Sequence, residues 1–217
     1  MNRPYRVGFC LSGGGALFRA TVLNASQLGI CPAAAFTAGK DEATFAGFCR
    51  QHGMPLSVID VSSRSEFDTE LTVRAGKADL DLVVLTFNRI IPPEMVDRYR
   101  GRIINMHCGL LPAFRGATPV EDALKAGVRF VGATMHVVDE LVDHGAIIAQ
   151  CVLGIGPEDT AESIASRLYP LVRPMFLQTI AWFAAGRIVT DAHGRVWVQG
   201  ARYGTLPISP EPEQQFG

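Results

Sequence analysis

The sequence predicts one α/β domain built on an open, mostly parallel sheet with helices on both faces. The chain has 217 residues, of which 48% are hydrophobic, so it is long enough to bury a full core. Short apolar, β-branched runs alternate with helix-like stretches, which is typical of strand and helix units in a parallel sheet. A Gly-rich turn also joins the first strand to the first helix. We expect a single domain over residues 1–205, with halves at 1–100 and 101–205.

The individual elements follow from the same alternation. Strands are predicted over residues 6–11, 34–38, 57–61, 81–86, 103–106, 132–138 and 146–153. Helices are predicted over 16–28, 42–52, 65–76, 93–99 and 119–126, and a hairpin over 187–199. A last helical region is predicted from Asp159 toward Ala185, with Thr160 as its cap. Pro170 and Pro174 should break or kink it, because proline lacks an amide donor and crowds the preceding turn.

The tail over residues 206–217 is rich in Pro and Glu, and we expect it to be flexible.

The formal net charge of -1 gives no electrostatic reason to expect a nucleic acid or an anionic membrane as partner. No apolar run approaches the roughly 20 residues that span a bilayer, and the first residues lack the apolar stretch of a secretory signal. The five cysteines are scattered without a C-x-x-C pair. We therefore expect a reduced, cytoplasmic protein that binds a small metabolite.

The Gly-rich turn consists of Ser12, Gly13, Gly14 and Gly15, between the first strand and the first helix. Backbone amides and the positive helix end converge there, which favours an anion such as a phosphate. As a dinucleotide fingerprint the turn is incomplete, because Phe18 occupies the sixth position and no acidic residue follows about 20 residues on. The turn could also be a tight strand-to-helix connection that needs glycine only for its backbone angles.

Asn105 and His107 alternate on a predicted strand, so both project to one face at its carboxyl end. A carboxamide can donate to a developing oxyanion, and an imidazole can share that task or move a proton. A second element, residues 132–150, reads as strand, acidic loop and strand, and a carboxylate in its loop could orient His107.

These residues also have ordinary structural interpretations. A single Asn or His at a strand end is more often a satisfied hydrogen-bonding residue than a catalyst, and His136 is expected to be structural or to line a pocket. A metal site made from His107, His136, Asp139 and Asp143 lacks a ligand-spacing signature, so no metal is expected.

The chain resembles the folate-dependent formyltransferases over nearly its whole length. Two motifs carry the resemblance, Asn-x-His-x-x-Leu-Leu-Pro at 105–112 and Gly-x-Thr-x-His-x-Val at 132–138, followed by Asp143-x-Gly145 and Gln150. The resemblance implies a Rossmann-like formyltransferase fold, with acceptor binding in the first half and catalysis and folate binding in the second. It also implies that Asn105, His107 and Asp143 are the catalytic residues.

The same resemblance implies that 10-formyltetrahydrofolate is the co-substrate and that a small-molecule amine is the acceptor, bound by a monomer or homodimer. The implied pterin contacts are Phe87, Asn88, Arg89, Ile90, Ile91, Val96, Val138, Asp139 and Glu140. The implied acceptor contacts are the Gly-rich turn and Arg64.

Departures from the family pattern fall mainly on the acceptor side. Formyltransferases of the purine pathway usually have a polar Ser-Asn pair after the Gly-rich turn, where this chain has Ala16 and Leu17. Cys108 and Gly109 stand where Pro-Ser is common. The acceptor is therefore left open between glycinamide ribonucleotide and another small amine such as an amino sugar. A formyltetrahydrofolate hydrolase, transfer of a different one-carbon group, a dinucleotide-binding oxidoreductase and a non-catalytic binding protein are the competing functions.

Overall fold

The computed structural model describes residues 3–217, and the chain divides into two compact units, Met1–Ile104 and Asn105–Gly217. The division falls inside one strand, β5, which spans Ile103–His107. It lies four residues after the expected boundary between the two halves of the domain.

The first unit is a parallel α/β layer. Its strands are β1 (Tyr5–Leu11), β2 (Ile30–Ala38), β3 (Leu56–Ile59) and β4 (Leu82–Thr86). Their order is β4-β1-β2-β3, and each of these neighbouring pairs is parallel. The helices are α1 (Ala16–Leu23), α2 (Ala25–Leu28), α3 (Glu42–Gln51), α4 (Arg64–Lys77) and α5 (Pro93–Arg98), with a 3-10 turn at Gly39–Asp41. Phe18 is fully buried between Phe9 and Phe45, with ring centroids 5.2 and 6.0 Å away, so aromatic packing joins β1, α1 and α3.

The second unit contains the end of β5 and a mixed arrangement of strands. Its elements are α6 (Pro119–Lys125), β6 (Phe130–Val137), β7 (Ile147–Gly154), α7 (Ala161–Ala184), β8 (Ile188–Thr190), β9 (Val196–Val198) and β10 (Ile208–Ser209). The strand order is β10-β7-β6-β5, and β7 is antiparallel to both β6 and β10. Strands β8 and β9 form a separate antiparallel hairpin.

The predicted α/β class and its mostly parallel strands are confirmed, and every predicted strand and helix is present with ends shifted by a few residues. The helix predicted over 16–28 is divided at Asn24, whose side-chain amide donates to the carbonyl of Ala20 at 2.9 Å. The predicted cap Thr160 is confirmed, since it forms a capping box with Ser163.

Of the break or kink predicted at Pro170 and Pro174, the break does not occur. Helix α7 runs without interruption from Ala161 to Ala184 with both prolines inside it. An interior proline costs about 3 kcal/mol because a backbone hydrogen bond is lost. The inward face of the helix offsets this cost, because Met175, Phe176 and Ile180 are fully buried.

The tail that is expected to be flexible makes defined contacts in the structure. β10 pairs with β7, and the buried Oε1 of Gln178 accepts from the backbone N–H groups of Glu213 and Gln214 at 2.9 and 3.0 Å. The guanidinium of Arg187 binds the Glu213 carboxylate with both terminal nitrogens. The partners of the tail therefore lie on α7, on β7 and at Arg187, and the composition of the tail does not reveal them.

All five cysteines are free, and burial raises the pKa of the Cys10 thiol to about 12. Cys10, Cys49 and Cys151 are buried, Cys31 is half-buried and Cys108 is exposed. Within residues 3–217, none of the helices has the length and apolar character needed to cross a membrane.

Candidate active site

Asn105 and His107 lie at the carboxyl end of β5, as predicted. The side-chain nitrogen Nδ2 of Asn105 lies 3.2 Å from Nε2 of His136 on β6. An amide nitrogen carries two hydrogens, so one can be donated to His136 while the second stays available for another acceptor. The Asn105 side chain is half-buried, which leaves it accessible at the strand end.

His136 is suited to hold Asn105 only in its neutral form. Its Nδ1 lies 3.0 Å from the carbonyl oxygen of Val137, an atom that accepts but cannot donate. The hydrogen of the neutral ring therefore sits on Nδ1, and Nε2 is the acceptor for Asn105. Burial lowers the pKa of His136 and so favours this neutral state, against the raising effects of the Val137 hydrogen bond and Asp143.

His107 is 5% exposed, and each of its ring nitrogens faces an oxygen. Nε2 lies 2.8 Å from the carbonyl oxygen of Phe114, and Nδ1 lies 3.3 Å from Oδ2 of Asp143. A ring with a hydrogen on both nitrogens donates to both partners. The structure thus brings together His107 and the carboxylate that was expected to orient it.

Asp143 sits in the loop between β6 and β7 with a left-handed φ of 51°. This backbone conformation is uncommon for residues other than glycine, although Asp and Asn adopt it more readily than most. Its Oδ2 also accepts from the backbone N–H of Gly116 at 3.0 Å, while Oδ1 lies 3.6 Å from His136 Nε2, beyond hydrogen-bonding distance. Oδ1 of Asp143 therefore makes fewer contacts than Oδ2, and it is the carboxylate oxygen better placed to accept a proton from a substrate.

The turn that follows His107 is anchored by Thr134 and Gln150, which face each other across β6 and β7. The Thr134 hydroxyl donates to the Gly109 carbonyl at 2.7 Å and accepts from the Leu111 N–H at 3.1 Å. The amide nitrogen of Gln150 donates to the Leu111 carbonyl at 2.9 Å. Thr134 and Gln150, which belong to the second sequence motif, therefore fix the path of the chain beyond His107.

In the first unit, the Gly-rich turn leads from β1 into α1, and Gly13 and Gly15 have φ of 66° and 69°. No side chain caps the start of α1. The Ser12 hydroxyl accepts from the N–H of Asn88 at 3.1 Å, so it is engaged by the segment after β4. Arg64 opens α4, and its Nε lies 3.5 Å from Asp68.

The other residues of the first unit expected to contact folate differ in accessibility. Ile91 and Val96 are buried, whereas Ile90 is 54% exposed. The Arg89 guanidinium lies 4.3 Å above the ring of Phe67, which stacks with Phe87. The buried pair belongs to the packed interior of the first unit in this structure.

In the second unit, Val138 and Asp139 are half-buried and Glu140 is exposed. Asp139 accepts from the N–H of Leu141 at 3.0 Å and pairs with His144 at 3.2 Å, so its carboxylate helps to shape the loop that carries Asp143. Among the described residues, no group of three or more His, Cys, Asp or Glu side chains is arranged to hold a metal ion.

Three features of the site were missed by sequence reasoning. These are the His136 partner of Asn105, the Phe114 carbonyl and the Gly116 amide. The alternation of Thr134 and His136 on one strand is a signal that could have placed His136 beside Asn105. Backbone groups carry no such sequence signal, because every residue has them.

The second unit also has a groove of about 490 Å³ beside β7 and the β8-β9 hairpin, where Trp197 and Tyr203 contribute aromatic rings. None of Asn105, His107 and Asp143 lines it. The chemistry is therefore expected at the end of β5 and not in this groove.

Comparison with known proteins identifies the relatives of this arrangement. A family model described as formyl transferase matches residues 5–180. The phosphoribosylglycinamide formyltransferase of Mycobacterium tuberculosis is 34% identical over 188 residues, which cover 84% of this chain and 86% of that protein. The trifunctional purine biosynthetic protein adenosine-3 of Chironomus tentans is 32% identical over 191 residues, and the match spans only 14% of its length.

Solved structures agree in fold. The glycinamide ribonucleotide transformylase 1 of Symbiobacterium toebii has a TM-score of 0.83 at 29% identity, covering 90% of this chain and 94% of that one. A formyltetrahydrofolate deformylase of Pseudomonas syringae has a TM-score of 0.82 at 23% identity, covering 91% of this chain and 66% of that one, and this likeness concerns the fold alone.

Proposed function

Because the chain belongs to the formyl transferase family, we propose that it transfers a formyl group from 10-formyltetrahydrofolate to the primary amine of a small acceptor. The observation that carries the proposal is the cluster of Asn105, His107 and Asp143 at the end of β5. A carboxamide donor, an imidazole and a carboxylate supply the oxyanion stabilisation and proton acceptor that acyl transfer to an amine requires.

In the proposed reaction the neutral amine attacks the formyl carbon, a C–N bond forms, and the carbonyl oxygen becomes an oxyanion. The Asn105 hydrogen that is not given to His136 is the donor that we assign to this oxyanion. A His107 ring with both nitrogens protonated places positive charge beside it. Asp143 takes the proton of the attacking nitrogen, directly or through water. The intermediate then expels the folate nitrogen, which takes up a proton, and leaves a formylated amine and tetrahydrofolate.

We propose glycinamide ribonucleotide, or a related small amine, as the acceptor. The support is the similarity to proteins named for that substrate, together with an uncapped start of α1 where a phosphate could accept backbone N–H groups. The opposing observation is the apolar pair Ala16 and Leu17, which provides no polar side chain at this helix start. The proposed acceptor contacts are Ser12, Gly13, Gly14, Gly15 and Arg64.

The proposed folate contacts are the nine residues expected from the sequence, and the exposed ones are the better candidates for direct contact. In the first unit these are Asn88, Arg89 and Ile90. The buried Ile91 and Val96 would act by supporting them. We also propose that the protein is cytoplasmic and that its cysteines are reduced.

The test is to incubate the purified chain with 10-formyltetrahydrofolate and a panel of amines, including glycinamide ribonucleotide and amino sugars, and to follow folate absorbance and product mass. We expect tetrahydrofolate to appear only with an acceptor amine, together with a product heavier by one formyl group. Formate release without any amine would indicate a hydrolase instead. Absence of folate turnover under every condition would overturn the proposal.

A further inference from the structure

Gly109 lies against the imidazole of His107 so closely that a side chain does not fit there at the present ring position. A Cβ built on Gly109 would lie 2.7 Å from His107 Nε2 and 3.1 Å from the Phe114 carbonyl oxygen. With the turn of this chain in its present position, the ring is the part that can move, so an added Cβ at 109 would push it away from that carbonyl. The backbone of Gly109 does not have a left-handed φ. Glycine is therefore needed at this position because a side chain would collide with His107, and not because of the backbone conformation.

Phe114 presents the carbonyl that Gly109 leaves accessible. Its φ is 51°, a conformation that is rare for a bulky residue and costs free energy unless its surroundings hold it. Its side chain packs against the buried cluster of Ala123, Val131 and Ile164, which holds the turn in place. Two residues later, the same turn donates the Gly116 N–H to Asp143. One turn therefore contacts both His107 and its carboxylate partner.

From this geometry we propose that Gly109 and Phe114 are positioning residues that fix which nitrogen of His107 exchanges a proton. A carbonyl oxygen can only accept, so the Phe114 contact keeps a hydrogen on Nε2. The hydrogen that His107 can gain or lose is then the one on Nδ1, which faces Asp143. Proton exchange of His107 is thereby confined to the side that faces Asp143, the group that takes up the amine proton in the proposed reaction. The effect on catalysis rests on the proposed formyl transfer. The position of the hydrogen on His107 does not depend on it.

The experiment combines nitrogen NMR of histidine-labelled protein with kinetics, using a His107→Gln variant to assign the signal. In the wild type we expect neutral His107 to carry its hydrogen on Nε2. In Gly109→Ala and Gly109→Val we expect that preference to be lost. We also expect kcat for formyl transfer to fall by about 10- to 100-fold, because a displaced catalytic group loses orientation. The KM for 10-formyltetrahydrofolate should stay within about twofold.

The matched control is Gly47→Ala in α3, where an added Cβ meets nothing within 4 Å. It should leave tautomer and kcat unchanged. A neutral wild-type His107 with its hydrogen on Nδ1 would overturn the inference, and this measurement needs no variant to fold. Two variants that keep the wild-type kcat would also overturn it, as would a fall in kcat with an unchanged tautomer. If no amine is formylated, the proposed function fails while the NMR result still decides the tautomer.

Discussion

The side chain of Asn105 donates to Nε2 of His136, a residue 31 positions later in the chain, over 3.2 Å. His136 can accept because its own hydrogen is directed to the Val137 carbonyl and because burial lowers the pKa of the ring, which favours its neutral form. This hydrogen bond orients the carboxamide, so the donor proposed for the oxyanion is held before substrate arrives. Preorganisation of this kind is a main source of rate enhancement in acyl transfer.

Replacing Asn105 or His107 with alanine should lower kcat for formyl transfer by at least about a hundredfold each. The reason is that either change removes a preorganised group from the place where negative charge develops. Steady-state kinetics of the purified variants gives the measurement, and denaturant unfolding checks that they are folded. Wild-type turnover in either folded variant would contradict the assignment.

Asp143→Asn should lower kcat by about a hundredfold or more, because a carboxamide cannot take up the proton of the attacking amine. The left-handed backbone at this position tolerates asparagine, so the loop is expected to keep its path. Asp97→Asn, which alters only an exposed ion pair with Arg100, serves as the control. Equal losses in the two variants would show that charge removal in general, and not the site, is responsible.

His136 should make stability depend on pH in a defined direction. Its pKa in the folded chain lies below the ordinary value near 6.5, so on lowering the pH the unfolded chain takes up this proton first. The contribution of His136 is complete above about pH 6.5 and is lost progressively as the pH falls below that value. Subtracting the unfolding free energies of His136→Gln from those of the wild type at each pH isolates this effect. A difference that is flat between about pH 5 and 8 would contradict it.

Thr134→Val should destabilise the fold by about 1–3 kcal/mol, because Thr134 is fully buried and the change leaves the Leu111 N–H and the Gly109 carbonyl without this partner. The loss is measured by urea unfolding. Thr69→Val is the matched control, since its hydroxyl makes one exposed contact to the preceding helical turn. We expect kcat to fall as well in Thr134→Val, because the turn after His107 loses its anchor.

Gln178→Leu should also cost about 1–3 kcal/mol, because two backbone N–H groups of the tail lose their acceptor. Gln51→Leu at an exposed position provides the comparison. Proteolysis should cut the tail of Gln178→Leu faster than that of the wild type. A tail equally protected in both proteins would show that Gln178 does not hold it.

The sequence by itself determined the alternation of strands and helices, the turn at Ser12–Gly15, the Thr160 cap and the placement of Asn105 and His107 on one strand face. These features depend on neighbouring residues, whose spacing is visible in the chain. The acidic loop with Asp143 was also visible, because a strand precedes and follows it.

Only the tertiary structure decided which side chains and backbone groups complete the site. The Asn105–His136 contact depends on the register of β6, which has an irregularity between Met135 and His136. The Phe114 carbonyl reaches His107 because Phe114 takes a left-handed backbone conformation, which cannot be predicted from the residue type. The intact α7 and the docked tail likewise result from burial against distant residues. Packing can override local preference in this way because the free energy of burying a helix face offsets the backbone hydrogen bonds lost at the two interior prolines.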